Sequence, residues 1–512
     1  MKNHVCHEYL DFNSASFFTV ILLPEKDGKF PTVIARCPYV DPQKTEQQTQ
    51  AELEKIYAPW LSRGYAVVFQ HCRGQGLSTG EFVPYIHERE DGLFLQDYVR
   101  RQSFYNGELY LYGGSYCASL HYATAPFAKD IKGAVLEVQD TERYRICYRN
   151  GQMRKGHANW HFTLYKRKSK LKKSFNPHSF STFPLAGISE RGLGEISPDF
   201  EGMLLAERED HPYWNTRYGG NDARNAEKSS GIPILFAGGF NDFYVGGMFK
   251  MWCGLDEKTR EKCAFLVSPY NHGDSYSPDR GLAFENGRRT ERFGAQYAID
   301  WLDSIRLGTP LAYEKGKITY YRSFENTWES DFYKKKTAPI SLKLGTCEKS
   351  FDYDPENPVS YSAAGERQPS LENHPSVVSL TTAPLDSDVF VKGKMTASLL
   401  FSTNVPDTAV YVNISIRKPD GDYILRHDIT SLSYQLGSYK ENACVRLEFS
   451  FDEHAFLLKK GETLRVDIGS ADDNVYTPHP NRKGPYYLID NPQRAKSTVY
   501  LSDSTLTLPV EI

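Results

Sequence analysis

Five short apolar runs in the first 140 residues carry little internal polarity. They are Phe17–Leu23, Pro31–Ala35, Tyr65–Phe69, Leu109–Tyr112 and Gly133–Val138. Runs of that length without period-two alternation predict strands buried on both faces. Between them lie segments with helical spacing. Glu52–Arg63 places Tyr57, Trp60 and Leu61 on one face and stops at Gly64, and Tyr116–Thr124 predicts a second helix. Strands alternating with helices predict a parallel sheet covered on both sides. The stretch Met1–Leu10, with Lys2, His4, His7 and Glu8, lacks the unbroken apolar core of a signal peptide.

From Arg143 to Ser230 the strand signals fade, and polar and aromatic residues take over. The α/β pattern returns with Ile232–Ala237 and Ala264–Val267. A helix follows, with Phe293, Tyr297, Ala298, Trp301, Leu302 and Ile305 at helical spacing. After Lys335 the pattern is period two. Val410, Val412, Ile414 and Ile416 alternate with Tyr411, Asn413 and Ser415, and Leu464, Val466 and Ile468 alternate with Arg465 and Asp467. That is the signature of an antiparallel sandwich or jelly roll. The expected division is an α/β core in two parts, 1–142 and 231–335, an insertion at 143–230 and a β domain at 336–512. Residues 354–369, rich in Pro, Ser, Glu and Gly, predict an extended connector.

Composition narrows the function. Of 512 residues, 40% are hydrophobic and 24% charged, which excludes a largely disordered chain. A net charge of −3 offers no overall attraction for nucleic acid or an anionic membrane surface. The longest apolar run ends at Pro24, far short of a span, and no signal-peptide core is present; the expectation is a cytoplasmic protein. Nine scattered cysteines without a CxxC pair support neither a disulfide scaffold nor a zinc ribbon. No Walker motif or HExxH occurs, and Asp472–Asp473 reads as a loop end, so no metal and no cofactor are expected. Arg73-Gly74-Gln75-Gly76 follows a strand, but the third glycine of a dinucleotide fingerprint would fall at Thr79. The basic run Lys166–Lys173 reads as a solvated helix face.

One stretch carries chemistry. In Leu109–Thr124 (LYLYGGSYCASLHYAT) a strand runs through two glycines into Ser115 and then a helix. A serine on so tight a turn projects its hydroxyl above the sheet, and the next N–H, that of Tyr116, faces a developing oxyanion. The usual five-residue form has Gly at 117, where this chain has Cys. A serine nucleophile needs a base, and the base needs an orienting carboxylate. The order Ser, acid, His is met by Asp242, just after Ile232–Ala237, and His272, just after Ala264–Val267. All three stand beyond the C-terminal ends of strands, where open parallel sheets build sites. His121, on the helix after Ser115, reads as packing, and His211 precedes the acid and breaks the order. Tyr39, after Pro31–Ala35, can offer a phenol as second oxyanion donor.

These stretches resemble one family: RCPYVD at Arg36, GYAVVFQHCRGQGLSTGEF at Gly64, YGGSYCAS at Tyr112, GGFNDFYVGG at Gly238, SPYNHG at Ser268 and PLDSDVFVKGKMTASL at Pro384. The chain resembles the cocaine esterase and X-prolyl dipeptidyl-peptidase superfamily of serine hydrolases. The resemblance implies an α/β-hydrolase domain with an inserted helical cap and a C-terminal jelly roll. It implies Ser115 as nucleophile, His272 as base, Asp242 as its orienter, and the Tyr39 hydroxyl and Tyr116 amide as oxyanion donors. His71 stands where the family usually has Asp, and Ala118 replaces a common Gly; only local repacking is expected from either.

The expected substrate is a small ester or amide, with an esterase or acylase favoured. The α-amino-acid ester hydrolases of this family place acidic residues two and three positions after the catalytic Asp to hold an ammonium. Here those positions are Tyr244 and Val245, so a neutral acyl group lined by Tyr244 is expected. An X-prolyl dipeptidyl-peptidase or amino-acid ester hydrolase is the alternative, and a non-catalytic binding protein on the same scaffold the remote one. No nucleic-acid or membrane partner is expected; a homo-oligomer stays open.

Overall fold

The computed structural model describes residues 4–166, 180–272 and 295–512. Its first half is built on a ten-stranded sheet. The strands are β1 (Val5–Phe12), β2 (Ala15–Leu22), β3 (Phe30–Cys37), β4 (Ala66–His71), β5 (Tyr105–Gly114), β6 (Ile131–Glu137), β9 (Ile234–Gly239), β10 (Ala264–Ser268), β11 (Ile318–Arg322) and β12 (Thr327–Ser330); β7 (Tyr148–Arg149) and β8 (Gln152–Met153) form a separate small hairpin. The order is β1-β2-β4-β3-β5-β6-β9-β10-β11-β12. β4 through β11 along that path run parallel, while β1, β2 and β12 are antiparallel to their neighbours.

The continuous apolar runs are explained by two cores, one on each face. Phe18, Val33, Val67, Tyr110, Val135, Leu235 and Leu266 pack on one side with Tyr57 and Trp60 of α1 (Glu46–Ser62) and Trp301 and Leu302 of the helix Ala295–Arg306. Phe17, Ile34, Val68, Leu111, Leu136, Phe236 and Val267 pack on the other, with α2 (Glu88–Arg100), α3 (Tyr116–Tyr122) and the helix Val245–Gly254. Successive strand residues thus feed opposite cores, which is the period-two geometry of a strand with no solvent face.

The N-terminal segment, in which the apolar pattern names no element, is the edge strand β1, paired antiparallel to β2. Most of β1 is partly or fully exposed, so it carries little of the apolar signal that marks the inner strands. Phe293 and residues 167–173 of the basic run lie outside the described residues.

Between β6 and β9 the described chain is mainly helical: α4 (Arg143–Cys147), α5 (Lys155–Lys166) and short helices at Ile188–Leu193 and Pro198–Leu205. Its core joins Tyr144, Phe162, Phe200 and Trp214 to Tyr486 and Tyr487 from the far end of the chain. The C-terminal part is all antiparallel, a seven-stranded and a five-stranded sheet. Val410, Val412, Ile414 and Ile416 of the smaller sheet share a core with Leu399, Phe401, Leu506 and Leu508 of the larger. No helix among the described residues is long and apolar enough to cross a membrane.

Candidate active site

The turn after β5 is under strain. Ser115 has φ 56° and ψ −134°, in the half of the map that residues with a Cβ avoid. Neighbouring contacts hold it there. Its N–H donates to Glu137 O (3.0 Å), and its carbonyl accepts from Ala118 N–H (2.8 Å). Gly113 is required by close approach: a Cβ would stand 2.6 Å from Cys117 O.

The loops after β9 and β10 are zipped together. Phe240 N–H donates to Ser268 O (2.7 Å), Asn241 N–H to Tyr270 O (3.1 Å) and Asn241 Nδ2 to Pro269 O (2.7 Å). A Cβ on Gly239 would lie 2.0 Å from Tyr270 O, so only glycine lets the two loops meet. The consequence is that Asp242 and His272 are held as one unit. Asp242, 2% exposed, bonds His272 Nδ1 through Oδ2 (3.1 Å) and accepts Tyr244 N–H through Oδ1 (2.9 Å). His272 Nε2 is 2.9 Å from Ser115 Oγ.

Tyr39 stands beside this chain. Its Oη accepts from Trp160 Nε1 of α5 (2.9 Å) and lies next to the Ser115 side chain. The ring is exposed along one side, but its hydroxyl is enclosed, and burial raises its pKa well above the usual phenol range, so it keeps its proton. The proton order follows from the carboxylate, which can only accept. His272 Nδ1–H therefore donates to Asp242, which leaves His272 Nε2 to accept the Ser115 hydroxyl, while the Trp160 indole donates separately to Tyr39. Serine and histidine are set in the states that nucleophilic attack requires.

The Tyr116 side chain points away from this chain. It is buried, with its ring 5.0 Å from Tyr85 and 4.9 Å from Trp160, and its hydroxyl donates to Glu88 Oε1 (2.7 Å) and accepts Tyr85 N–H (2.8 Å). That anchors the first residue of α3, whose N–H has no partner within the helix. His121 is buried on Tyr112 O (3.0 Å), with its pKa lowered to about 3, first by burial and then by Arg36. His71 Nδ1 accepts Leu77 N–H (3.2 Å) inside the loop after β4.

A cavity of about 320 Å³ opens beside His272 and Asp242, walled also by Phe243, Arg154, His157 and Tyr476. Ser115 is not in its lining; His272 is the side chain shared with the serine. Tyr244, expected to line the acyl pocket, is 8% exposed and lines a neighbouring cavity, and Phe243 lines both that cavity and the one at His272. The Tyr244 main chain is turned inward by its N–H bond to Asp242 and its ring packs 5.1 Å from His272, while Phe243 projects from the turn before it. Sequence reasoning missed Trp160, Phe243 and Arg154. Phe243 could have been found from its place beside Asp242. Trp160 and Arg154 lie in the insertion, where no spacing relates them to the three loops.

A largely parallel sheet that carries such a serine on the turn after its central strand defines an α/β-hydrolase. The chain belongs to the S15 family of X-Pro dipeptidyl-peptidases: residues 16–274 match that family, and residues 315–504 match the X-Pro dipeptidyl-peptidase C-terminal non-catalytic domain. It is a serine hydrolase of the esterase and peptidase kind. The cocaine esterase of Rhodococcus sp. (strain MB1 Bresler) is 21% identical over 528 residues, covering 90% of this chain and 89% of that one. Among solved structures, an aminopeptidase from a marine sediment Thaumarchaeota archaeon has TM-score 0.81 at 18% identity, covering 99% of this chain and 96% of its own. An α-amino acid ester hydrolase has TM-score 0.81 at 17% identity, covering 99% and 97%. A CocE/NonD family hydrolase from Staphylococcus aureus has TM-score 0.65 at 15%, covering 100% and 97%.

Proposed function

We propose that this hydrolase cleaves a small ester or amide through an acyl-enzyme, with esters preferred, using Ser115 as nucleophile, His272 as base and Asp242 as its orienter. The observation that carries the reading is the proton-ordered chain from Ser115 through His272 to Asp242, with Tyr39 beside its serine end. Ser115 Oγ attacks the carbonyl carbon, and its proton passes to His272 Nε2. The imidazolium is stabilised by Asp242. The carbonyl oxygen takes up the charge and is met by the Tyr39 O–H and the Tyr116 N–H. Collapse expels the alcohol or amine, which takes the proton from His272. Water then attacks the acyl-enzyme by the same route and releases the acid.

The peptidase reading requires a carboxylate that can hold a substrate ammonium. Two carboxylates wall the cavity, and both are engaged: Asp242 by His272, and Asp452 by Arg149 (3.0 Å). That favours the esterase or acylase. The test compares a short-chain p-nitrophenyl ester with glycyl-prolyl-p-nitroanilide. A rate preference for the ester is expected; faster cleavage of the anilide would reverse the assignment.

Tyr39→Phe removes one oxyanion donor and leaves the ring in place. A fall in kcat of about 10²–10³ is expected, with KM changed far less. Steady-state kinetics on the same ester checks it, and an unchanged kcat would remove Tyr39 from that role.

A further inference from the structure

The cavity beside His272 contains a charge that the reaction described above does not use. Arg154 stands at the start of α5, anchored by its N–H to Cys147 O (2.8 Å) and by a bridge to Tyr476. It is 8% exposed, and its guanidinium lines the cavity. It forms no close ion pair with any described carboxylate, although its charge acts on Asp452 in the same wall, and its enclosed Nε has no hydrogen-bond partner. The rings of Phe243 and Tyr476 lie 5.8 and 5.7 Å from it. Aromatic faces favour a cation but leave the N–H donors of an arginine unfilled. A buried guanidinium without an acceptor is costly, and a ligand that supplies one relieves the cost.

The surrounding charges are already committed. Arg149 is held by Asp428 (2.7 Å) and Asp452 (3.0 Å). Arg426 donates to the main-chain carbonyls of Leu425, Asp452 and Glu453. Asp242 is taken by His272 and the Tyr244 N–H. His157 and His427, which also wall the cavity, have pKa values lowered to about 3, first by burial and then by arginines that include Arg154, so both are neutral. His157 Nε2 is buried without a partner, a second unfilled polar atom in the same wall. Among the described residues of this wall, Arg154 and Arg426 both stand outside any ion pair, but only Arg154 has no hydrogen-bond acceptor for its guanidinium, and both carboxylates are engaged. Ammonium recognition asks for the reverse.

We propose that this cavity binds a carboxylate carried by the substrate, with Arg154 as its counter-ion. The enzyme's substrates are then esters or amides that bear a second, anionic group. This rests on the proposed acyl-enzyme reaction at Ser115 and replaces the neutral acyl group expected from Tyr244 and Val245. A guanidinium matches a carboxylate with two parallel N–H donors, and a volume of about 320 Å³ holds a chain of several carbons between that anion and His272.

Two pairs of esters test it. The first places the charge on the acyl side, 4-nitrophenyl hydrogen adipate against 4-nitrophenyl hexanoate. The second places it on the leaving group, 3-carboxyphenyl butanoate against its methyl ester. In the unaltered enzyme, kcat/KM favours the carboxylate member of one pair by about 10- to 100-fold, and the pair that responds tells which end of the substrate enters the cavity. In Arg154→Met that ratio falls to near one; in Arg154→Lys part of it survives, because the charge remains but the two-pronged geometry is lost. A ratio near one in the unaltered enzyme overturns the proposal, as does a ratio that persists in Arg154→Met. A measurement that needs no variant accompanies these. Adipate inhibits hydrolysis of the hexanoate ester competitively and at least about tenfold more tightly than adipamide; equal inhibition overturns the proposal. Ser115→Ala serves as the blank throughout. Turnover that survives in that blank would refute the assigned nucleophile, a failure separate from that of the anion site.

Discussion

Replacing Ser115 with alanine is expected to lower kcat by about 10⁵–10⁶, to a residue sustained by the oxyanion donors and substrate binding alone. In the proposed mechanism the hydroxyl forms the acyl bond, and no described side chain hydrogen-bonded to it can take its place. Tyr39 keeps its proton because burial raises its pKa, and His272 is the base that needs a donor. The variant should still fold. The bonds that hold the turn, Ser115 N–H to Glu137 O and Ala118 N–H to Ser115 O, are main-chain, and alanine meets the same positive φ with the same Cβ. The expected change in Tm is only a few degrees. Labelling by a fluorophosphonate should be stoichiometric in the unaltered protein and absent in Ser115→Ala. Persistent turnover, or a label that survives the substitution, would place the nucleophile elsewhere.

Asp242→Asn is expected to cost about 10⁴ in kcat at unchanged geometry. The aspartate uses both oxygens, Oδ2 toward His272 Nδ1 and Oδ1 toward the Tyr244 N–H. An asparagine oxygen keeps only one of these bonds. The Tyr244 N–H can only donate, so it retains the oxygen, and the amide NH₂ turns to His272. Nδ1 must then accept, the ring proton moves to Nε2, and the base can no longer receive the proton of Ser115. The defect belongs to the tautomer rather than to packing, so KM and Tm should change little. Steady-state kinetics with a thermal melt checks it, and a loss below about tenfold would remove Asp242 from the orienting role.

Much of the first half was legible in the chain because its strands are buried on both faces. A strand such as Tyr65–Phe69 has no solvent face, so an unbroken apolar run announces it, and the order Ser115, Asp242, His272 at three strand ends follows from locating those runs. β1 was missed because an exposed edge strand is not required to be apolar. The helix α1 begins several residues before the expected Glu52, where Thr45 and Gln48 form a capping box that an apolar-periodicity reading passes over. Tyr244 was named from its distance along the chain after Asp242. Distance along the chain does not say which way a side chain leaves a tight turn, and here the N–H bond to Asp242 turns Tyr244 inward and leaves Phe243 at the cavity.

By itself the sequence determined the layered sheet, the antiparallel C-terminal part and the residue types able to act as nucleophile, base and orienter, because apolar patterning and strand-end chemistry are local properties. Only the tertiary structure decided what surrounds those residues. The donor to Tyr39 comes from α5, more than a hundred residues away. Arg154 comes from the same insertion, and its neighbours Asp452 and Tyr476 come from loops of the C-terminal part. Whether a charge is free or committed depends on partners brought together from three parts of the chain, and no local pattern encodes that balance.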